Sequence, residues 1–356
     1  MNYNYFKNKK ILVIGHTGFK GSWLSLILSS LNAKIYGISD TIPTKPSNFE
    51  ILKIKKKLVQ DIRCDIRDYK NLKKNIDKIK PEIIFHLAAQ SLVNESYLDP
   101  SKTWTTNLIG TLNVLEYLRN LKNKCTCIIV TSDKCYLNNE WIWGYRENDI
   151  LGGVDPYSAS KASTEILFSS YYKSFLKNKK NIKIASARAG NVIGGGDWNK
   201  NRIIPDCAKA WLKNKTVMIR NKNSTRPWQH VLEPLNGYLH LAFYLNKKMN
   251  INGQSFNFGP NINEKPYSVI KIVNLLKYNF KNLKIKILNN NKFKNYESNL
   301  LVLNSDKSKS LLSWTPKLNI KDTINYTSKW YYNYKYSKKE IEKFTINQIK
   351  DFLFGN

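Results

Sequence analysis

The chain has 356 residues, 42% hydrophobic and 12% aromatic, enough to bury a substantial core in one large domain or two intimate ones. Its 58 basic and 26 acidic side chains give a formal charge of +32 (58 − 26), yet the lysines run along the whole chain and form no tail or stripe. That spread argues against a nucleic-acid-binding protein and for a surface that draws small anions into a cleft. No apolar run is long enough to span a bilayer, so no membrane segment is expected. The basic N-terminus precedes only four apolar residues, 11–14, which suits a buried strand better than a leader. The five cysteines, Cys64, Cys125, Cys127, Cys135 and Cys207, are odd in number and lack metal-ligand spacing. Reduced core thiols in a cytoplasmic protein are expected, and no metal site.

Over residues 9–190 short apolar runs alternate with helix-like stretches. Strands are predicted at 11–14, 34–38, 83–87, 125–130 and 182–188, with helices between them, among them 21–31 and 105–118. This alternation predicts an α/β fold with a Rossmann-type, doubly wound parallel sheet covered by helices on both faces. Past Arg188 the loop AGNVIGGGDWNKNRIIP breaks the pattern, and apolar stretches follow at 203–212, 231–245, 255–258 and 269–276. We read residues 1–190, with a late return near 228–262, as the Rossmann domain. Residues 191–227 and 263–356 are read as a smaller C-terminal α/β substrate lobe, its last forty residues an amphipathic helical cap.

The first strand runs directly into Gly15-His16-Thr17-Gly18-Phe19-Lys20-Gly21 and then an apolar helix. Glycines so placed permit a tight turn and let a pyrophosphate approach backbone N–H groups at a helix N-terminus. Asp40 ends the second strand 19 residues after Gly21 (40 − 21), where a carboxylate accepts ribose hydroxyls and repels a 2′-phosphate. NAD is therefore favoured over NADP. Asp65 and Ile66 follow the next apolar segment, where an adenine could be held; a turn or cap role for Asp65 is the alternative. Leu87, Ala88 and Ala89 close the strand through His86 with small groups, letting a cofactor ribose come close.

Residues 131–161 carry the most chemistry. Tyr157 and Lys161 are four apart, so on a helix the lysine lies one turn beneath the tyrosine. An ammonium there is expected to lower the phenol's proton affinity and make it a base for an alcohol proton while hydride leaves the same carbon. Upstream, Ser132, Asp133 and Lys134 add a second acid/base pair that plain alcohol oxidation does not need. That points to oxidation followed by elimination.

The glycine pattern, His86-Leu87-Ala88-Ala89, Asn107, the upstream serine and Tyr157-x-x-x-Lys161 resemble the extended short-chain dehydrogenase/reductase superfamily. More narrowly, the chain is similar to the CDP-glucose 4,6-dehydratase family. The strings that carry this likeness are GHTGFKGSWLS (15–25), HLAAQSLV (86–93), TSDKCY (131–136), WGYREND (143–149), GGVDPYSASKA (152–162), RAGNVIGGGDW (188–198), RIIPDCAKA (202–210) and RPWQHVLEPLNGYL (226–239). In the related dTDP-glucose enzymes the triplet at 132–134 reads Thr-Asp-Glu, whereas Ser-Asp-Lys is the pattern of the CDP-glucose group.

The resemblance implies NAD as cofactor, held also by Asn107, Tyr157 and Lys161, and a nucleotide sugar as substrate. It implies that Tyr157 takes the 4-hydroxyl proton with Ser132 bonded to the same oxygen, that Lys134 removes the C5 proton, and that Asp133 protonates the departing 6-hydroxyl. Asn191, Arg202 and Arg226 are expected at the diphosphate or sugar, since guanidinium binds phosphate oxygens bidentately. Asp197 and Trp198 are expected at the nucleotide base, with a core anchor as the equal alternative for Trp198, and Gln90 at the sugar. His230 and His240 fall in a patterned apolar stretch and are read as structural. The resemblance further implies a homodimer or dimer of dimers built on helices beginning near Thr105 and Asp155. A sugar-nucleotide 4-epimerase or reductase is the alternative activity on this scaffold; it needs the tyrosine and serine but not Asp133 with Lys134.

Overall fold

The computed structural model describes residues 1–261, 267–288 and 300–355. The segments 262–266 and 289–299, which the sequence divides between the late return and the substrate lobe, lie outside the described residues.

Seven parallel strands form the central sheet: β1 (Lys10–Ile14), β2 (Lys34–Ser39), β3 (Gln60–Arg63), β4 (Ile83–His86), β5 (Cys125–Val130), β6 (Ile182–Ala189) and β8 (Ser255–Phe258), in the order β8-β6-β5-β4-β1-β2-β3. Alternate residues of β1 feed two separate cores. Ile11 and Val13 join one face, and Leu12 and Ile14 the other, as the two-residue period of a strand buried on both sides requires. The strand order reverses between β1 and β4, and Leu87 N–H still bonds to Ile14 O at 2.8 Å before the chains diverge. Ligand crevices in open α/β sheets lie at such a switch point.

One face is covered by α2 (Tyr69–Ile79), α4 (Gly110–Asn120) and α5 (Pro156–Tyr171); α4 is entered from α3 (Pro100–Trp104) through a π-helical turn, Thr105–Ile109. The helix predicted to start at 105 thus starts at Pro100, where Asp99 accepts from Lys102 N–H and proline occupies the first turn. The other face holds α1 (Phe19–Ser30) and α7 (Leu232–Leu245). Residues 21–28 of α1 are buried on all sides because the C-terminal helices α9 (Ile320–Tyr336) and α10 (Ile341–Phe354) share its core, Trp330, Ile349 and Phe352 lying in one cluster with Trp23 and Leu26. The apolar stretches at 203–212 and 269–276 are helices α6 (Ile203–Leu212) and α8 (Val269–Leu276), and beside α6 the strand β7 (Thr216–Ile219) pairs in parallel with β9 (Lys284–Ile287). The strand β3 has no apolar run to announce it; it is a half-exposed sheet edge.

All five cysteines are buried and unpaired, Cys125 and Cys127 side by side in one core as their spacing predicted. Burial holds His230 near a pKa of about 3, while His240 bonds to Leu312 O at 2.9 Å; both are structural. Among the described residues no helix is long and apolar enough to cross a membrane.

Candidate active site

The turn after β1 is a backbone cradle. Gly15 has φ +93°, and a Cβ there would fall 2.6 Å from Ala88 N, so the β1 and β4 strand ends touch through backbone alone. A Cβ on Gly21 would lie 2.1 Å from Gly15 O, which is how closely α1 starts against the turn. Gly18 caps that helix without a side-chain hydrogen bond, leaving its first N–H groups for an anion. Thr17 fixes the loop by donating to Thr41 O at 2.7 Å. Asp40 is exposed at the end of β2, where it accepts from Thr41 N–H at 2.7 Å. Half-buried Leu87, Ala88 and Ala89 continue the crevice. This cradle fits a dinucleotide pyrophosphate with its ribose toward Asp40.

Ser132, Asp133 and Tyr157 converge beyond β5. Asp155 caps α5 through Ser158 N–H, and Pro156 sets its first turn, so Tyr157, Lys161 and Glu165 follow one another down a single helix face. Ser132 Oγ donates to Asp133 Oδ1 at 2.9 Å, and its hydroxyl eases the proton affinity of the Tyr157 phenol downward. Asp133 lies against bare backbone, a Cβ on Gly190 falling 1.8 Å from its Oδ2. Lys134 follows, half-buried.

The electrostatics differ from the expectation in one respect. Burial pushes the Tyr157 phenol up to about 12, Ser132 and Arg202 opposing and Asp133 adding to the rise. Lys161 is itself brought down to about 8 by burial, against the pull of Glu165. Desolvation outweighs the neighbouring cation. Glu165 in turn is buried in an ion pair with Arg188 at 2.8 Å and accepts from Thr131, Ser186 and Ser255, which holds its carboxyl below the ordinary range despite burial.

Several predicted contacts resolve differently. Lys20 does not stay at the pyrophosphate turn: its Nζ donates to Tyr238 OH on α7 at 3.3 Å, and burial beside Lys161 and Arg202 draws it down to about 7. Tyr238 senses Tyr157 and Asp133 electrostatically, so this lysine–tyrosine pair borders those two groups. The Asn107 amide faces inward, bonding both backbone groups of Gln90 and Ser160 Oγ; it positions the crevice and does not line it. Gln90 is likewise engaged by Leu92 and Thr103 Oγ1. Ile66 is a core residue against Gly110, while Asp65 is held by Arg67 through a bidentate pair that lowers its proton affinity. Trp198 packs among Trp330, Tyr331 and Tyr334, the core-anchor alternative. Asp197 pairs with Arg202 at 3.1 Å, and Arg202 also reaches Ser91 O at 3.3 Å. Arg226 is buried, donating to Thr225 O at 2.7 Å; Asn191 is half-buried after β6 with φ +29°. Sequence reasoning assigned nothing to Tyr238, Gly190 or the Glu165–Arg188 pair, although the first two lie inside the strings quoted above.

Comparison with known proteins agrees with this geometry. Residues 12–327 match the family model described as GDP-mannose 4,6 dehydratase. The CDP-glucose 4,6-dehydratase of Salmonella typhimurium is 42% identical over 92% of this chain and 92% of its own. Among solved structures, the dTDP-glucose 4,6-dehydratase of Bacillus anthracis in complex with NAD superimposes with a TM-score of 0.73 at 20% identity, covering 93% of this chain and 99% of that one. The UDP-glucuronic acid 4-epimerase of Bacillus cereus, in complex with UDP-glucuronic acid and NAD, gives 0.75 at 24%, covering 90% and 98%. A glycine-rich dinucleotide cradle at the sheet's switch point and a tyrosine–lysine helix with a buried carboxyl beside it coincide in one molecule, and the chain belongs to the GDP-mannose 4,6 dehydratase family of extended short-chain dehydrogenase/reductases.

Proposed function

We propose that this chain is a hydro-lyase that converts CDP-D-glucose to CDP-4-dehydro-6-deoxy-D-glucose with NAD, a step of deoxysugar synthesis for surface polysaccharide. The observation that carries the reading is the buried Asp133 carboxyl, hydrogen-bonded to Ser132 beside the buried Tyr157 and followed in sequence by Lys134. Oxidation at C4 needs the tyrosine; only loss of water needs the adjoining acid and base. The 42% identical relative named for this activity supports the choice of nucleotide.

When bound, NAD supplies a reversible two-electron exchange, oxidising C4 and later reducing C6. Gly15, Gly18, Gly21 and the α1 N-terminus hold its pyrophosphate, Asp40 its adenosine ribose, and Lys161 its nicotinamide ribose. Tyr157 Oη takes the 4-hydroxyl proton, with Ser132 Oγ bonded to the same oxygen. The 4-keto group acidifies C5–H, Lys134 Nζ removes that proton, and Asp133 protonates the 6-hydroxyl so that it leaves as water. Arg202, Arg226 and Asn191 bind the diphosphate end. The protein works in the cytoplasm, where nucleotide sugars are made, as a homodimer through α4 and α5.

Incubating the NAD-loaded protein with CDP-, dTDP-, GDP- and UDP-glucose, with products read by mass, tests this. Loss of one water from CDP-glucose is expected. An unchanged mass with inversion at C4 indicates an epimerase instead, and water loss only from another nucleotide refutes the assignment of the base.

A further inference from the structure

Asp40 favours NAD over NADP only where no nearby cation offsets its charge, and its corner of the crevice holds two arginines. The last rung between β2 and β3 runs from Cys64 N–H to Ser39 O at 3.1 Å, so Asp40 and Asp65 leave the sheet side by side just past it. Arg63 stands opposite Ser39 in the sheet register, and Arg67 follows in the turn after Asp65; both side chains are exposed. A guanidinium beside the ribose is the group that accepts a 2′-phosphate and turns such a site toward NADP. Position alone would therefore oppose the preference that Asp40 sets.

Both guanidiniums, however, are already engaged. Arg67 Nε donates to the two oxygens of Asp65 at 3.1 and 2.9 Å, and its Nη2 to Oδ2 at 2.6 Å. The Nε–Nη2 edge, which would meet a phosphate in the same two-point way, is filled. The Arg67 backbone N–H also bonds to Asp65 Oδ1 at 2.8 Å, so the turn itself holds the pair in register. Arg63 Nη2 donates to Asp61 Oδ2 at 2.8 Å, and its guanidinium lies over the Phe49 ring, 5.5 Å from the centroid. Residues two apart on a strand share a face, which brings Asp61 and Arg63 together on β3. Asp61 is fixed from its other side as well, its Oδ1 standing 2.8 Å from Nε2 of the buried His16. Ion pairs open to solvent, as Asp65–Arg67 is, add little to folding, so their consequence lies at the site.

We propose that Asp65 and Asp61 are specificity-determining residues for the dinucleotide: by pairing with Arg67 and Arg63 they withhold both guanidiniums from a 2′-phosphate. Asp40 then acts unopposed at the adenosine ribose, the placement given above and the one on which this inference rests. A ribose hydroxyl needs only an acceptor, which Asp40 supplies. A phosphate dianion needs cations, and those within reach are already neutralised by carboxylates of their own.

Isothermal titration of the nucleotide-free protein with NAD and with NADP gives the ratio of the two dissociation constants. Any contact of Asp65 with the adenine is common to both nucleotides and cancels in that ratio. Asp65→Asn keeps an acceptor for the Arg67 backbone N–H and removes the charge. It should shift the ratio toward NADP on the order of tenfold, about one charge-assisted hydrogen bond. Adding Arg67→Gln should restore the original ratio. An unchanged ratio in Asp65→Asn overturns the proposal. So does a gain that survives Arg67→Gln, because loss of one negative charge would then suffice without any released arginine. Asp40→Asn distinguishes the underlying placement: if it leaves the ratio unmoved, the ribose does not lie at Asp40, and the proposal falls with that placement.

Discussion

Gly190 and Asp133 illustrate how one missing side chain makes room for a buried carboxyl. The carboxyl occupies the space that any Cβ at position 190 would take, 1.8 Å from Oδ2, and the glycine's φ is not in the left-handed region. Gly190→Ala therefore leaves the backbone unstrained and moves the movable partner, the Asp133 side chain. We expect that variant to oxidise C4 and exchange C5–H with solvent while water loss falls by about 10²–10⁴-fold, the usual worth of one general acid. Lys134→Ala should fail one step earlier: cofactor reduction persists in part, but deuterium uptake at C5 falls by a similar ~10²–10⁴-fold. Normal exchange in that variant would remove Lys134 from its role. The nearness of Ser132, Asp133 and Tyr157 was legible in the sequence because that chemistry would demand particular residue types at helical and strand-end spacing. The surroundings of Asn107, Gln90 and Ile66 were not, because a side chain's partner depends on which surfaces packing brings together, and spacing carries no record of that; for Trp198 the core anchor was one of two equal readings.

At the scale of elements, the apolar strands of the sheet and helix α1 were readable from their patterning, the stretches at 203–212 and 231–245 were legible as apolar but not as the helices α6 and α7, and the helix near Asp155 came through the resemblance. The strand β3 was not, since a half-exposed edge needs no apolar run, and the start of α3 was hidden by its π-helical join to α4. One joint between elements depends on pH. Glu233 on α7 accepts the N–H groups of Lys317 and Leu318 at 2.8 and 2.7 Å, just before α9, while its Oε2 has no hydrogen-bond partner among the described residues. Burial outweighs those two bonds and raises the carboxyl from 4.5 to about 7. Between those values the folded chain keeps a proton that the unfolded chain has released, so folding stability falls as pH climbs from about 4.5 to about 7 and levels off above. Glu233→Gln should abolish that slope. Urea midpoints across this range check it, and an unchanged slope in the variant would assign the effect elsewhere.

For the molecule as a whole, the +32 charge has no localised stripe to read, and it bears on how the protein meets its anionic substrate more than on its fold. The proposed homodimer would draw instead on apolar exposure. The helices α4 and α5 lie side by side on the outside of the sheet, and Ile109 at the start of α4, Ile166 on α5 and Phe175 just beyond it stand 40%, 58% and 45% exposed. Single exposed apolar residues mean little, but three on one helical layer would, in the proposed dimer, be covered by a second copy through two-fold symmetry, each helix pair meeting its equivalent. A charge at the centre of such a face would be buried unpaired in the dimer and solvated in the monomer. Ile166→Asp should accordingly shift sedimentation from dimer to monomer with the circular dichroism of the fold retained. Because Tyr157 and Lys161 lie on the same helix as Ile166, the monomer should also lose activity by loosening α5, and a catalytically normal dimer carrying the aspartate would place the interface on another face.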